Sequence, residues 1–115
     1  MSVLRHEPGP ILSLAVEHGN TVYLAGIVAK NLKNDIKGQT EEVLAQIDRL
    51  LAKAGSNKSK VLSATIWVSD IRNRLPMNEV WTKWVDPDNL PVRACIEAKL
   101  ADPAGLVEIM VVAAK

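Results

Sequence analysis

Two stretches of this sequence, residues 11–16 and 106–112, are apolar at nearly every position. A strand with one wet face alternates apolar and polar residues, whereas a strand that is apolar on both faces must be covered on both. The rest of the chain predicts two helices, and two helices cover only one side of a sheet. The other side needs a partner, so we expect the chain to self-associate.

The remaining pattern predicts an α+β domain with its elements in the order ββαβαββ. A Gly/Asn turn, His18-Gly19-Asn20, separates the first two β-prone runs and predicts a hairpin. Apolar residues at helical spacing predict both helices, which we expect to pack on one face of the sheet within a single domain over residues 1–115. The predicted strands cover residues 11–17, 21–28, 61–68, 92–100 and 106–113, and the predicted helices cover residues 39–54 and 75–85.

Charge and composition argue against several classes of function. Fourteen basic residues against 13 acidic ones leave a net charge of +1, which gives no basic surface for nucleic acid. The single cysteine, Cys95, cannot form an intrachain disulfide, and no stretch approaches the ~20 apolar residues that span a bilayer. We therefore expect a soluble cytoplasmic protein without a membrane partner. His6 and His18 lack ligands at metal spacing, and the glycines form no phosphate loop, so we expect no metal or nucleotide cofactor.

The segment most suggestive of chemistry is the predicted strand that contains Arg93. Alternation places Arg93 and Cys95 on one face, and Glu108 follows on the last predicted strand. A guanidinium is a planar fork that matches a carboxylate, so an arginine on a strand beside an acid suggests a pocket for a small carboxylated molecule. Periodicity alone favours the alternative that Arg93, Cys95, Glu97 and Lys99 form the solvated side of an amphipathic strand.

The C-terminal quarter resembles the signature of the reactive-intermediate deaminase (Rid, YjgF-like) family, in the runs Pro91-Val92-Arg93-Ala94-Cys95-Ile96-Glu97-Ala98 and Val107-Glu108-Ile109. The resemblance covers nearly the whole chain. It implies a chorismate-mutase-like mixed sheet that assembles as a homotrimer with clefts between subunits. Further matching runs follow in the family's order: Gly9-Pro10, Val22-Tyr23-Leu24-Ala25-Gly26, Ala54-Gly55, Ala64-Thr65-Ile66-Trp67-Val68 and Met77-Asn78-Glu79-Val80-Trp81.

The activity that the resemblance implies is hydrolysis of 2-enamino or 2-imino acids to 2-keto acids and ammonia, without a cofactor. Arg93 would hold the substrate carboxylate, and Glu108 would orient or deprotonate the attacking water. Cys95 would line the pocket rather than act as a nucleophile, because Arg93 is the only nearby cation to activate it. Asn78 matches a polar family position, although helix surface or a local cap is the favoured interpretation of that residue.

Two candidate pocket residues depart from the family's pattern. Ile11 stands where many active members carry a tyrosine that reaches the substrate, and Ala25 stands where a serine is common. A hydrocarbon side chain cannot replace a hydrogen-bond donor. We therefore expect a shift in substrate preference, or weak turnover, without loss of the fold or of the anion site.

A second hypothesis is a non-catalytic oligomer that binds small keto or amino acids in a regulatory role. Arg93 serves both hypotheses. Glu108 favours hydrolysis, because a carboxylate receptor gains nothing from an acid beside its ligand, whereas a hydrolase needs one to handle water. The sequence leaves open whether Glu108 meets Arg93 within one subunit or across an interface.

Overall fold

Residues 2–115, which the computed structural model describes, form one mixed sheet of seven strands and two α-helices. The strand order is β1-β2-β3-β7-β5-β6, and β4 also pairs with β7, so the last strand in sequence lies inside the sheet. Only β5 and β6 run parallel. The elements are β1 (Val3–Pro8), β2 (Ser13–His18), β3 (Thr21–Leu24), β4 (Ile27–Val28), α1 (Ile36–Lys53), β5 (Val61–Val68), α2 (Arg74–Trp84), β6 (Val92–Glu97) and β7 (Val107–Ala114).

The sheet has one covered face and one open face. Alternate residues of β5 and β7, such as Ile66 and Ile109, are fully buried on the helix side. On the open face, Tyr23, Val28 and Met110 are 39–48% exposed. This arrangement confirms the predicted α+β architecture with both helices on one side, and it leaves the apolar open face that the sequence pattern predicted.

The first helix begins three residues earlier than its predicted start. Asp35 is the N-cap, and its side chain accepts a hydrogen bond of 2.9 Å from the backbone N–H of Gly38. The residues before Gln39 are polar, and for that reason they were predicted as a loop. In the structure one of them, Asp35, caps the helix, which begins at the next residue. None of the helices in the described part of the chain is long and apolar enough to cross a bilayer.

The predicted order ββαβαββ is incomplete at its N-terminal side. Strand β1 was not predicted, because Arg5, His6 and Glu7 mask any apolar alternation in an edge strand. The strand predicted over residues 21–28 is divided into β3 and β4. The second helix and the last strand match their predictions to within one residue at each end, whereas the strand predicted over 92–100 already ends at Glu97.

Two clusters of charged side chains hold the edge strand β1. Glu17 of β2 is buried, and its carboxylate accepts hydrogen bonds from His6 Nε2 at 2.5 Å and from Lys115 Nζ at 2.6 Å. The next residue of β1, Glu7, accepts a hydrogen bond from Arg49 of α1 at 2.6 Å. These contacts join β1 to the chain end and to the helix layer.

The side chain of Gln39 joins two loops at the end of the sheet where β4 ends and β7 begins. Gln39 is fully buried on α1. Its Nε2 donates to the carbonyls of Leu32, Asn34 and Ala104 at 3.4, 3.1 and 3.1 Å. Its Oε1 accepts from the backbone N–H of Leu106 at 2.9 Å. One buried amide therefore holds the loop after β4 against the loop before β7.

Candidate functional site

Arg93 is held on the helix side of β6 by two residues of α2. It pairs with Ala64 in the β5–β6 ladder, and Ala64 is buried under the helices, so Arg93 extends to that same side. Its Nη1 donates to Asn78 Oδ1 at 2.7 Å, and its Cζ lies 5.4 Å from the centre of the Trp81 ring. The side chain remains exposed, with one of its five N–H groups bound to Asn78. An arginine oriented in this way can donate two parallel N–H hydrogen bonds to the two oxygens of a carboxylate.

Asn78 is a partner of Arg93 rather than a cap or a plain surface residue. It lies inside α2, whose N-cap is Asn73. Trp81 was not among the candidate site residues predicted from the sequence, and the structure places its ring against the guanidinium. Residues three apart on a helix share a side, so the spacing of Asn78 and Trp81 was an available signal for a common contact.

Cys95 lies two residues after Arg93 and on the same side of β6. It pairs with the fully buried Ile66 and packs, partly buried, against the hydrophobic core. A small side chain turned toward apolar neighbours is suited to lining a pocket wall. Among residues 2–115 no three His, Cys, Asp or Glu side chains cluster at metal-binding distance.

Glu108 projects from the open face of the sheet, the side opposite to Arg93. Its neighbours in β7, Val107 and Ile109, are buried under the helices, so the alternation of the strand sends Glu108 the other way. The carboxylate lies directly over Gly26, where an added Cβ would be 2.2 Å from Oε2. No ion pair involves Glu108 in the described part of the chain. Gly26 therefore leaves the space that this carboxylate occupies.

One chain does not bring Arg93 and Glu108 together. Arg93 pairs with Ala64 of β5, and its side chain lies on the covered face. Glu108 pairs with Trp67 of β5, and its side chain lies on the open face. The thickness of the sheet separates the two side chains, and strand β5 lies between their strands. Any site that uses both residues must be built from two copies of the chain.

The two positions that depart from the family's pattern also lie apart from Arg93. Ile11 is at the tip of a tight turn, closed by a hydrogen bond of 2.7 Å from the Gly9 N–H to the Leu12 carbonyl, and it is 91% exposed. Ala25 is half-buried beside Gly26, and its N–H donates to the Leu14 carbonyl at 2.9 Å. Ala25 thus lies next in sequence to the glycine that carries the Glu108 carboxylate.

Comparison with known proteins gives a consistent result over nearly the whole chain. Residues 6–115 match the family model described as Endoribonuclease L-PSP. A RutC family protein from Haemophilus influenzae is 44% identical over 114 residues, which cover 98% of each chain. The RutC family protein YoaB from Escherichia coli is 43% identical and covers 99% of each.

Solved structures agree with these sequence matches. A YjgF family member from Neisseria meningitidis superposes with a TM-score of 0.97 at 42% identity, covering 100% of this chain and 96% of its own. A member of the YjgF/YER057c/UK114 family from Mycobacterium tuberculosis gives a TM-score of 0.90 at 29% identity, covering 99% and 100%.

Proposed function

The chain belongs to the YjgF/Rid-like family, and from this membership and the geometry around Arg93 we propose that it hydrolyses reactive 2-imino and 2-enamino acids to 2-keto acids and ammonia. The observation that carries the proposal is the state of Arg93, which is exposed yet oriented by Asn78 and Trp81. A guanidinium fixed in advance loses little freedom when it binds a carboxylate, so it suits an anchor for such substrates.

The proposed site lies between two subunits. The open face of the sheet is apolar, and a second copy of the chain would cover it. In this arrangement Arg93 and Cys95 belong to one subunit, whereas Glu108 and the Ala25-Gly26 segment belong to its neighbour. A closed ring of three copies would repeat one such cleft at each contact.

The chemistry needs few groups, because an imine carbon is already electrophilic. Arg93 would hold the substrate carboxylate so that the adjacent carbon faces a water on Glu108. The substrate reacts with its imine nitrogen protonated. The water oxygen bonds to that carbon while one water proton passes to Glu108, and the C=N π electron pair moves onto the nitrogen, which becomes an NH₂ group. Glu108 then returns its proton to the nitrogen, the C–N bond breaks as the hydroxyl oxygen forms the carbonyl, and the hydroxyl proton leaves with ammonia as ammonium. The balance requires only water.

The apolar residues at positions 11 and 25 bear on substrate choice. Ile11 and Ala25 have hydrocarbon side chains, so neither can donate a side-chain hydrogen bond to a substrate. Ala25 precedes Gly26, over which the Glu108 carboxylate lies. A pocket without those donors favours imino acids with aliphatic side chains over polar ones. It also predicts slower turnover than in relatives that carry both hydroxyls.

An imine-lifetime assay tests the proposal. An amino-acid oxidase generates the imines in place, and their lifetime is followed with and without the protein. Glu108→Gln should slow hydrolysis by about 10²–10⁴-fold and leave keto-acid binding nearly intact. Arg93→Ala should reduce both. Arg93→Lys should weaken binding, because an ammonium lacks the two-pronged geometry. As a matched control, Glu41→Gln removes an exposed acid of α1, a helix that contributes no residue to the proposed site, and should change neither quantity.

Two results would replace the hydrolase hypothesis. If no imine is accelerated but keto acids bind in an Arg93-dependent way, the chain is a carboxylate receptor. If RNA is cleaved and imines are not, the activity named in the family description applies instead. The net charge of +1 gives that outcome little electrostatic support.

A subunit mixture tests the shared cleft directly. Neither Arg93→Ala nor Glu108→Gln alone contains a complete site. In a ring of mixed subunits, some clefts combine the intact Arg93 of one variant with the intact Glu108 of the other. Dissociating and reassembling the two together should recover roughly a quarter of wild-type activity. No recovery in confirmed mixed oligomers would contradict the site between subunits.

A further inference from the structure

A small apolar cavity opens beside the strand pair that carries Glu108. It has a volume of about 280 Å³ and lies where β4 ends, between Val28, Leu32, Leu100 and Ala101. Asp102 is the one charged residue in its lining, and the Asp102 carboxylate already accepts a hydrogen bond of 2.9 Å from the backbone N–H of Ala104. The cavity therefore offers hydrocarbon contact to a ligand rather than a charge.

Val28 connects this cavity to the proposed chemistry. It faces Glu108 directly in the β4–β7 ladder, and residues paired in this way point to the same side of a sheet. Side chains so paired begin about 5 Å apart. The imine carbon attacked by a water on Glu108 also carries the substrate's side chain, so that side chain starts close to Val28.

Hydrogen bonds within the chain hold the loops that form the walls of the cavity. Gln39 bonds Leu32 and Asn34 on one side and Ala104 and Leu106 on the other, all through one buried amide. Because these loops cannot separate without breaking buried hydrogen bonds, the cavity keeps its width. A preformed apolar space selects ligands by size and hydrocarbon content.

From these observations we propose that the cavity is the side-chain subsite of the enzyme, and that its preferred substrates are 2-imino acids with branched aliphatic side chains, such as those formed from leucine. This assignment rests on the proposed hydrolase function. One methylene group in a fitting apolar pocket changes kcat/KM by about 10-fold or more. The kcat/KM for the leucine-derived imine should therefore exceed that for the alanine-derived imine by at least about 10-fold.

Two exposed alanines provide a matched test. Ala101 lines the cavity and is exposed, so Ala101→Leu should place hydrocarbon in the space without disturbing the core. Ala52, on α1, is also exposed but does not line the cavity. Ala101→Leu should lower kcat/KM for the leucine-derived imine by about 10-fold relative to the alanine-derived imine. Ala52→Leu should leave that ratio unchanged, and Leu100→Ala should shift the preference toward larger side chains.

The outcomes separate this inference from the function on which it rests. If wild type hydrolyses imines but Ala101→Leu and Ala52→Leu both keep the wild-type ratio, the subsite is wrong and the hydrolase stands. If no imine is hydrolysed, calorimetry with pyruvate and with the keto acid of leucine applies the same comparison to binding, and an unchanged affinity ratio in Ala101→Leu overturns the subsite. Binding of neither keto acid overturns both proposals.

Discussion

Replacing Gly26 by alanine should displace the Glu108 carboxylate, and so impair its proposed role, while residue 108 itself stays unchanged. A Cβ at position 26 would be 2.2 Å from Oε2 of Glu108 and 3.0 Å from its Cδ. Ordinary contact begins near 3.4 Å, so the carboxylate must move by at least about 1.2 Å. A misplacement of ~1 Å at a reacting group can cost about 10²-fold in rate. We expect Gly26→Ala to lower imine hydrolysis by that factor.

The same substitution should have little effect on stability. Gly26 does not adopt the left-handed backbone region that disfavours other residues. A glycine replaced by alanine at a compatible position stabilises a protein by about 0.4–1 kcal/mol through the unfolded state, which offsets part of the cost of moving a flexible side chain. The free energy of unfolding, measured by urea denaturation, should stay within about 1 kcal/mol of wild type.

A double variant distinguishes displacement of Glu108 from other effects. In Glu108→Gln the proposed catalytic carboxylate is already lost, so adding Gly26→Ala should lower the rate little further. Initial rates of imine disappearance for the four proteins form the cycle. Additive losses in the double variant, or full activity in a stable Gly26→Ala protein, would refute the idea that Gly26 exists to seat this carboxylate.

Two further outcomes follow from the side-chain contacts. Asn78→Ala removes the hydrogen bond that orients Arg93, so KM for imines should rise by about 10-fold with a smaller change in kcat, whereas Thr82→Ala on the same helix should leave KM unchanged. The pKa of Glu17 is lowered from its ordinary 4.5 because Lys115 and then His6 donate hydrogen bonds to its carboxylate. Its stabilisation is therefore present above about pH 4.5 and is lost as pH falls through the lowered folded pKa. The urea concentration at the unfolding midpoint should be measured from acid to neutral pH. As pH falls, this midpoint should decrease less in Glu17→Gln than in wild type. An equal decrease in the two proteins would contradict the stabilising role of the Glu17 carboxylate.

Local patterns predicted the elements whose burial is local. The helix that contains Met77 and Trp81, and the strand that contains Ile109, were placed correctly because apolar spacing reports directly on one buried side. Strand β1 has no such pattern, since its pairing with β2 and the Glu17 contacts are what hold it. An edge strand rich in charge resembles an ordinary terminal segment in sequence.

The sequence indicated a set of candidate site residues but not their geometry. Alternation correctly placed Arg93 and Cys95 on one side of a strand. Whether Glu108 shares that side depends on how β6 and β7 pair with β5, and this register is a contact between segments distant in sequence. The placement of Trp81 under Arg93 has the same non-local origin, because the ring and the guanidinium come from different elements.

The position of β7 has a consequence for how the protein is made in the cell. Among the described strands, β7 is synthesised after the other six, yet it is the strand that joins β3 to β5 within the sheet. The earlier part of the nascent chain can form the β1–β2–β3 meander and α1, but it cannot close the sheet until residues 107–114 leave the ribosome. Closure of the sheet should therefore wait for β7, and stalled chains that lack Val107–Ala114 should expose apolar strands to chaperones or to aggregation.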